Sequence, residues 1–459
     1  MTNEHRKFLQ DSADVSFDVE HRKKIRHNMS KYDEAVEKGK DMYARLSVAR
    51  QKAEFIKRKA VQNLDKYLID FQERFEKNGG KVIFADDAAE AIHYILEIAE
   101  RSHSKKVVKS KSMISEEIAL NEALGNKNIE TVETDLGEYI VQTAGEKPYH
   151  IVTPAMHKSK EDIATLFHEK FGLDPQSTPE EITGFVREKL RKKFTDADIG
   201  ITGANFIIAD PGAVALTENE GNGMMSFSFP PIHIVVSGIE KIIPSLTDLD
   251  VFWPLLSTHG TGQYITVYNS ILSGPARENE QDGPREMYVI LLNNGRTRLL
   301  SRERHHIALS CIRCGACLNA CPVYRNIGGY TYASTYSGPI GSVITPYMKA
   351  MDRFGHLSYA SSLCGKCTEA CPVNIPLHEL LLLNRNEFVK QGHADPKDKM
   401  TMKGWRVVMK NRSLMNIGSS RLKNYILKSF FKKTWGPHRT LPEISRQSFN
   451  KMWKTKKNR

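Results

Sequence analysis

The sequence predicts an α/β domain with a mostly parallel sheet, then a helical domain built around cysteines, with helical extensions at both ends. Three observations carry this. Short apolar strands alternate with amphipathic helices after residue 80. All seven cysteines fall between Cys311 and Cys371. The flanking stretches are charged and carry helical spacing. A chain of 459 residues is long enough for roughly two to four domains. The predicted divisions are a helical extension over 1–70, the α/β domain over 71–300, the cysteine domain over 301–392 and a basic extension over 393–459.

Residues 18–78 read as helix, because Met42, Leu46, Ala49, Ala53 and Ile56 recur at three- and four-residue spacing. Gly79-Gly80 stops the run. Such a helix either packs on its own domain or docks a partner. Strands are expected at Lys81–Ala85, 106–110, 129–133 and 150–153. Helices are expected at 86–103, 116–124 and 160–171. This βαβα rhythm indicates a parallel sheet. Beyond residue 200 strands dominate, at 205–209, 213–217, 232–237, 264–268 and 287–292. Asp210-Pro211-Gly212 signals a tight turn between two of them. Residues 377–388 look helical, and so does the spacer around Gly338-Pro339-Ile340-Gly341.

The net charge is +12. From Lys399 onward there are 17 Lys and Arg against one acid, Glu443, which leaves a net −4 for the rest of the chain. The tail also holds Trp405, Trp435 and Trp453. A tail of this kind contacts nucleic acid, anionic lipid or an acidic protein, or is a solvated helical extension. The N-terminus has no secretory pattern, and no apolar run is long enough to span a membrane. A cytoplasmic location is expected, with attachment to the inner membrane surface as its alternative.

Seven thiols confined to one segment argue for a metal or cluster site rather than disulfides. The first motif is Cys311-Ile-Arg-Cys314-Gly-Ala-Cys317-Leu-Asn-Ala-Cys321-Pro322, a C-x2-C-x2-C-x3-C-P run. Three thiolates on one tight loop reach three corners of a cubane. The fourth points away and ligates the other cluster of a pair. The second motif, Ser361-Ser-Leu-Cys364-Gly-Lys-Cys367-Thr-Glu-Ala-Cys371-Pro372, repeats the first with serine in the first position. The crossed rule assigns Cys311, Cys314, Cys317 and Cys371 to cluster 1. Cys321, Cys364 and Cys367 fall to cluster 2, which is one thiolate short. Ser361, water, another side chain or a three-iron cluster would each account for that corner. Zinc knuckles fit seven thiols poorly, and the C-x3-C-x2-C of radical enzymes is absent. The spacer between the motifs predicts a helical rather than a hairpin-built ferredoxin domain.

No nucleotide motif stands out. Gly260-Thr-Gly262 and Gly221-Asn-Gly223 lack a third glycine, and neither is expected to open a helix after a strand. Polar clusters follow predicted strands, and Lys111, Glu133, Asp135 and Glu220 are candidates to line a pocket at the strand ends. His150, His157 and His233 lie in or beside apolar segments. Each reads as a buried, hydrogen-bonded histidine, with a missing cluster ligand as the alternative. No catalytic residue is assigned.

Lys109-Ser-Lys-Ser-Met113, Glu133-Thr-Asp-Leu-Gly-Glu-Tyr-Ile140, His150-Ile-Val-Thr-Pro-Ala155, Gly203-Ala-Asn205, Glu218-Asn-Glu-Gly-Asn222 and both cysteine motifs resemble the lactate utilization protein B family. The resemblance runs from about residue 20 into the tail. It implies a lactate-utilization domain similar in fold to CoA transferases, and two [4Fe-4S] clusters, the second with three cysteine ligands. It further implies electron transfer in oxidation of L-lactate to pyruvate. The implied partners are a cysteine-rich protein of the heterodisulfide-reductase type and a smaller protein with the same lactate-utilization domain. The chain then reads as an electron-transfer subunit, and whether it is itself an enzyme stays open. Two other readings compete. One is a cluster-based redox sensor that binds nucleic acid through its tail, although no reading motif is present there. The other is a binding module for a carboxylate or CoA-type ligand with structural clusters.

Overall fold

The computed structural model describes residues 2–435 and 439–457. The chain divides into two compact units, Met1–Gln391 and Gly392–Arg459.

In the first unit, ten strands are found among the described residues: β1 Lys81–Ala85, β2 Lys106–Lys109, β3 Glu130–Glu133, β4 Ile199–Thr202, β5 Phe206–Asp210, β6 Ala213–Glu218, β7 Ile232–Gly238, β8 Ile242–Ser245, β9 Tyr268–Leu272 and β10 Glu286–Leu292. Six form a sheet in the order β1-β10-β7-β4-β2-β3, and every pair in it is parallel. A second sheet has the order β8-β5-β6-β9. In it β5 and β6 form an antiparallel hairpin through the expected Asp210-Pro211-Gly212 turn.

The parallel sheet is buried on both faces, as crossover helices require. Along β7, Ile234 and Val236 enter the core beneath the helix Ala88–Arg101. Val235 faces the opposite way, against Phe71 and Phe75 of the helix Leu64–Lys77. This is the two-residue period of a strand read out in packing. A third core joins the second sheet to the cysteine region: Phe206 and Phe252 belong to the same apolar cluster as Leu309, Ile312 and Leu318. Ile25, Met29, Ala53 and Ile56 of the N-terminal helices are buried in it too.

Several expectations need correction. The run over 18–78 is three helices, Val19–Asp41, Leu46–Gln62 and Leu64–Lys77, preceded by a fourth at Asn3–Phe17. Asp18 caps one of them by accepting from His21 N. The helix over 116–124 is split by Ala119, whose φ is 53°. Residues 150–153 form no strand, because His150 Nδ1 accepts from the amides of Val152 and Thr153 at 3.1 and 3.2 Å. Those amides are therefore lost to a ladder. The strand expected at 264–268 begins only at Tyr268, where the end of β6 first offers a partner, Glu218. The helices Leu136–Ala144 and Pro179–Thr195 and the strand β4 were not foreseen. The second helix carries a legible signal: Thr178 and Glu181 make a reciprocal capping box with proline in the first turn.

Gly200 in β4 is packed so closely that a Cβ would lie 1.7 Å from the Ser226 carbonyl oxygen. Gly200→Ala is expected to cost about 3 kcal/mol, read as a lower urea midpoint at unchanged slope. An unchanged midpoint would contradict this packing.

Candidate metal centre and adjoining cavity

The two cysteine motifs share a backbone design. Arg313 and Leu363 occupy equivalent places and both have positive φ, 62° and 55°. Gly315 and Gly365 follow at 80° and 84°, and each opens a single helical turn, Ala316–Asn319 or Lys366–Glu369. This geometry folds each loop back on itself, so successive thiols face one centre. Neither Cys321 nor Cys371 itself begins a helix. Turns follow both, and the helices start at Tyr324 and Leu377.

The thiols sort into two groups. Cys311, Cys314, Cys317 and Cys371 line one small cavity whose remaining wall includes Ile151 and Ile340. Cys314, Cys317 and Cys371 each feel the charge of Cys311. Cys321, Cys364 and Cys367 interact electrostatically with one another instead. Burial raises the thiols of Cys314 and Cys317, and pushes Cys371 up to about 12 and Cys367 up to about 11. Cys364 is exposed, and amide donors lower it. Buried thiols in such proximity ionise only if a cationic centre takes up their charge.

The surroundings fit such a centre. Arg313 Nη1 is buried with no hydrogen-bond partner, and its residue lines the four-thiol cavity. An anionic, sulfide-bearing group held there by the four thiols would supply the missing acceptor. Arg313 Nη2 donates to Glu240 Oε1 at 3.2 Å, and the guanidinium lies 4.3 Å from the Tyr336 ring centre. Glu240 also pairs with Arg296, which holds Glu117 through two bonds of 2.9 Å. Tyr336 closes the ring by donating to Glu117 Oε2 at 2.6 Å. Lys57 Nζ, fully enclosed, donates to the carbonyls of Glu240 and Ile242 at 2.6 and 3.1 Å. Arg296 and Arg313 thus face two carboxylates, Glu117 and Glu240, and the amine of Lys57 lies beside them. Burial alone would raise Glu240, yet Arg296 and Arg313 hold it down to about 2. Burial pulls Lys57 down to about 7.

A larger cavity of about 650 Å³ adjoins the first thiol group and includes Cys314 and Arg313 in its wall. Three of the four strand-end candidates reach it: Lys111, Asp135 and Glu220. Lys111 Nζ lies 3.3 Å from Asp135 and donates to Val152 O at 2.8 Å. Glu220 accepts from Leu136 N at 3.1 Å. Glu133 does not reach this cavity. It is turned to Lys109, at 2.8 Å, beside Glu116 and Glu138. Gly221-Asn222-Gly223 does follow a strand and open a helix, Asn222–Ser228, against expectation. Its amides are already occupied, however. Glu218 accepts from Gly223 N and Met224 N at 2.6 and 2.7 Å, so no phosphate cradle is open there.

None of the three histidines joins Cys321, Cys364 and Cys367 through any described contact. His150 packs on the first loop, near Gly315, and burial lowers it to about 3. His157 pairs with Glu146 at 2.7 Å. His233 is enclosed in β7 and bonds Thr202 at 2.8 Å. Ser361 Oγ accepts from Leu363 N at 3.1 Å. Sequence reading missed the ion network entirely. Its one legible sign was an arginine inside an otherwise apolar cysteine loop.

Glu240→Gln is expected to destabilise the chain by about 3–5 kcal/mol at neutral pH, because two buried guanidiniums lose their shared counter-charge. The folded-state carboxyl sits below its unfolded value of 4.5. Its stabilisation is therefore present above pH 4.5 and fades as pH falls toward 2. Denaturant titrations should show the gap between wild type and variant narrowing below pH 4.5. A gap independent of pH would refute this role.

Residues 68–292 match the LUD domain, and residues 307–375 match the 4Fe-4S dicluster domain. The dicluster match, with this cysteine set, implies iron–sulfur clusters. Lactate utilization protein B of Bacillus cytotoxicus is 44% identical over 420 residues, covering 89% of this chain and 88% of its own. The proteins of that name from Bacillus thuringiensis and Bacillus cereus are 46% identical over 371 residues, with 81% of this chain and 78% of theirs covered. A solved DUF162 family protein from Deinococcus radiodurans aligns with 50% of this chain and 98% of its own, at 15% identity and a TM-score of 0.27. That score is too low to support a shared arrangement. Identity near half over most of both sequences, with both domain matches, makes the chain a member of the lactate utilization protein B family of iron–sulfur proteins.

Proposed function

We propose that this chain relays electrons through two [4Fe-4S] clusters during oxidation of L-lactate to pyruvate. The observation that carries the reading is the sorting of thiols across the two motifs. Cys371, from the second motif, stands with Cys311, Cys314 and Cys317, while Cys321, from the first, interacts with Cys364 and Cys367. These two sets are the ligands of cluster 1 and cluster 2, the second with three cysteines. Bound there, each cluster supplies one-electron transfer. Lactate oxidation releases two electrons and two protons, so a one-electron relay must turn over twice for each lactate.

The protein's own part is to hold and insulate. Arg50 fixes the Cys371 carbonyl with a 2.7 Å bond, and Arg313 offers its free donor to the first centre. The adjoining cavity would admit a small molecule to the Cys314 side, whereas Cys364 is exposed to solvent, where a partner protein would dock. The relay works with a heterodisulfide-reductase-type cysteine-rich protein and a smaller lactate-utilization-domain protein, in the cytoplasm. Among the described residues no helix is long and apolar enough to cross a membrane.

Cys321→Ser tests the crossed assignment. Iron analysis and Mössbauer spectra of the anaerobic protein should show loss or conversion of cluster 2, with cluster 1 intact. Loss of cluster 1 alone would overturn the assignment. Ser361→Cys should complete the second ligand set and alter its paramagnetic spectrum. Unchanged spectra and unchanged lactate-dependent reduction would mean that the corner is closed by something else.

A further inference from the structure

The basic unit Gly392–Arg459 has the surface of a peripheral membrane anchor. Its helix Pro396–Lys410 buries no residue. Lys399, Lys403, Arg406 and Lys410 recur at four, three and four residues, which puts them on one face. Met402, Trp405 and Met409 recur at three and four residues on a neighbouring face, and all three are exposed. The helix Ser420–Trp435 repeats the design. Leu422, Ile426 and Phe430 form an i, i+4, i+8 stripe, with Phe430 75% exposed. Arg421, Lys428 and Lys432 line the opposite side. In the helix Phe449–Lys457, Phe449 and Trp453 stack one turn apart, with ring centres 5.8 Å apart and both exposed.

Exposed apolar stripes this extensive are not the ordinary scatter of surface leucines. Each lies beside lysines and arginines, within a segment carrying 17 basic residues and one acid from Lys399 onward. A duplex nucleic acid would use the charges but leave the Met, Phe and Trp stripes in water. An anionic bilayer surface uses both, because cations meet phosphate headgroups while Trp and Phe enter the acyl boundary. We propose that the tail binds the surface of a bilayer containing anionic phospholipid, and so holds the chain at the membrane without spanning it.

The test uses the full cluster-loaded chain under anaerobic conditions. It is sedimented with vesicles of phosphatidylcholine alone or of phosphatidylcholine with phosphatidylglycerol. Three of the four tryptophans lie in the tail, so their emission reports insertion. The expected result is binding to the phosphatidylglycerol vesicles only, a blue shift on binding, and release by salt. Trp405→Ser with Phe430→Ser keeps every charge and alters only exposed positions. It should weaken binding by at least about tenfold, with cluster spectra unchanged. Three results would each overturn the proposal. One is no vesicle binding. Another is vesicle binding indifferent to that double substitution. The third is tighter binding to random duplex DNA or to an acidic partner protein than to the anionic vesicles.

Discussion

One buried carboxylate, Glu240, organises the first unit. It sits just past the carboxyl end of β7, where a parallel sheet presents its ligand-binding edge. It takes Arg296, which follows β10, and Arg313, which lies inside the first cysteine loop. Its backbone carbonyl takes Lys57 from the N-terminal helices. Sheet, cysteine loop and N-terminal helices are thereby tied at one point. Arg313, in the wall of the four-thiol cavity, still has one buried donor without a partner. Four thiolates around an iron–sulfur core would supply the acceptor that this donor lacks. The buried guanidiniums of Arg313 and Arg296 would favour the more negative, reduced form of such a centre. In the proposed relay, the first cluster would be the one suited to accept an electron.

The two thiol groups differ in their access to solvent. The first is largely enclosed, with burial raising its thiols, and it shares a wall with the 650 Å³ cavity. The second includes Cys364, which is exposed, and Gly365, around which there is open space. A relay with one end against a cavity and the other at the surface can pass charge between a small molecule and a protein partner. The carboxylates of the cavity wall are already engaged. Glu218, Glu220 and Asp135 accept from amides at helix starts, and Lys111 also pairs with Asp135. Burial and neighbouring acids also push Glu218 and Glu220 upward.

Much of this was legible in the sequence, for identifiable reasons. The cysteine spacing encodes loop geometry directly, so the repeat and its missing thiol at Ser361 followed, while the strand–helix alternation carried the α/β fold class. Strands such as β7 and β10 were legible because continuous β-branched and aliphatic runs mark burial on both faces. Local side-chain chemistry defeated the reading elsewhere. His150 diverts two amides and cancels a strand, and Ala119 breaks a helix by adopting a left-handed backbone. Glu133 is the last residue of β3 rather than beyond it, and it is turned toward Lys109 and away from the cavity. The ion network was invisible because its members are far apart in sequence, from Lys57 to Tyr336. Only the fold brings them together.

The most direct test of the account is a potentiometric reduction of the anaerobic protein followed by electron paramagnetic resonance, with iron and sulfide quantified on the same sample. The account predicts about eight irons per chain and two reducible cubanes whose spectra broaden one another. Arg313→Gln should then lower the potential of the first centre and leave the second in place. Zinc without iron, or clusters that do not reduce at accessible potentials, would contradict it.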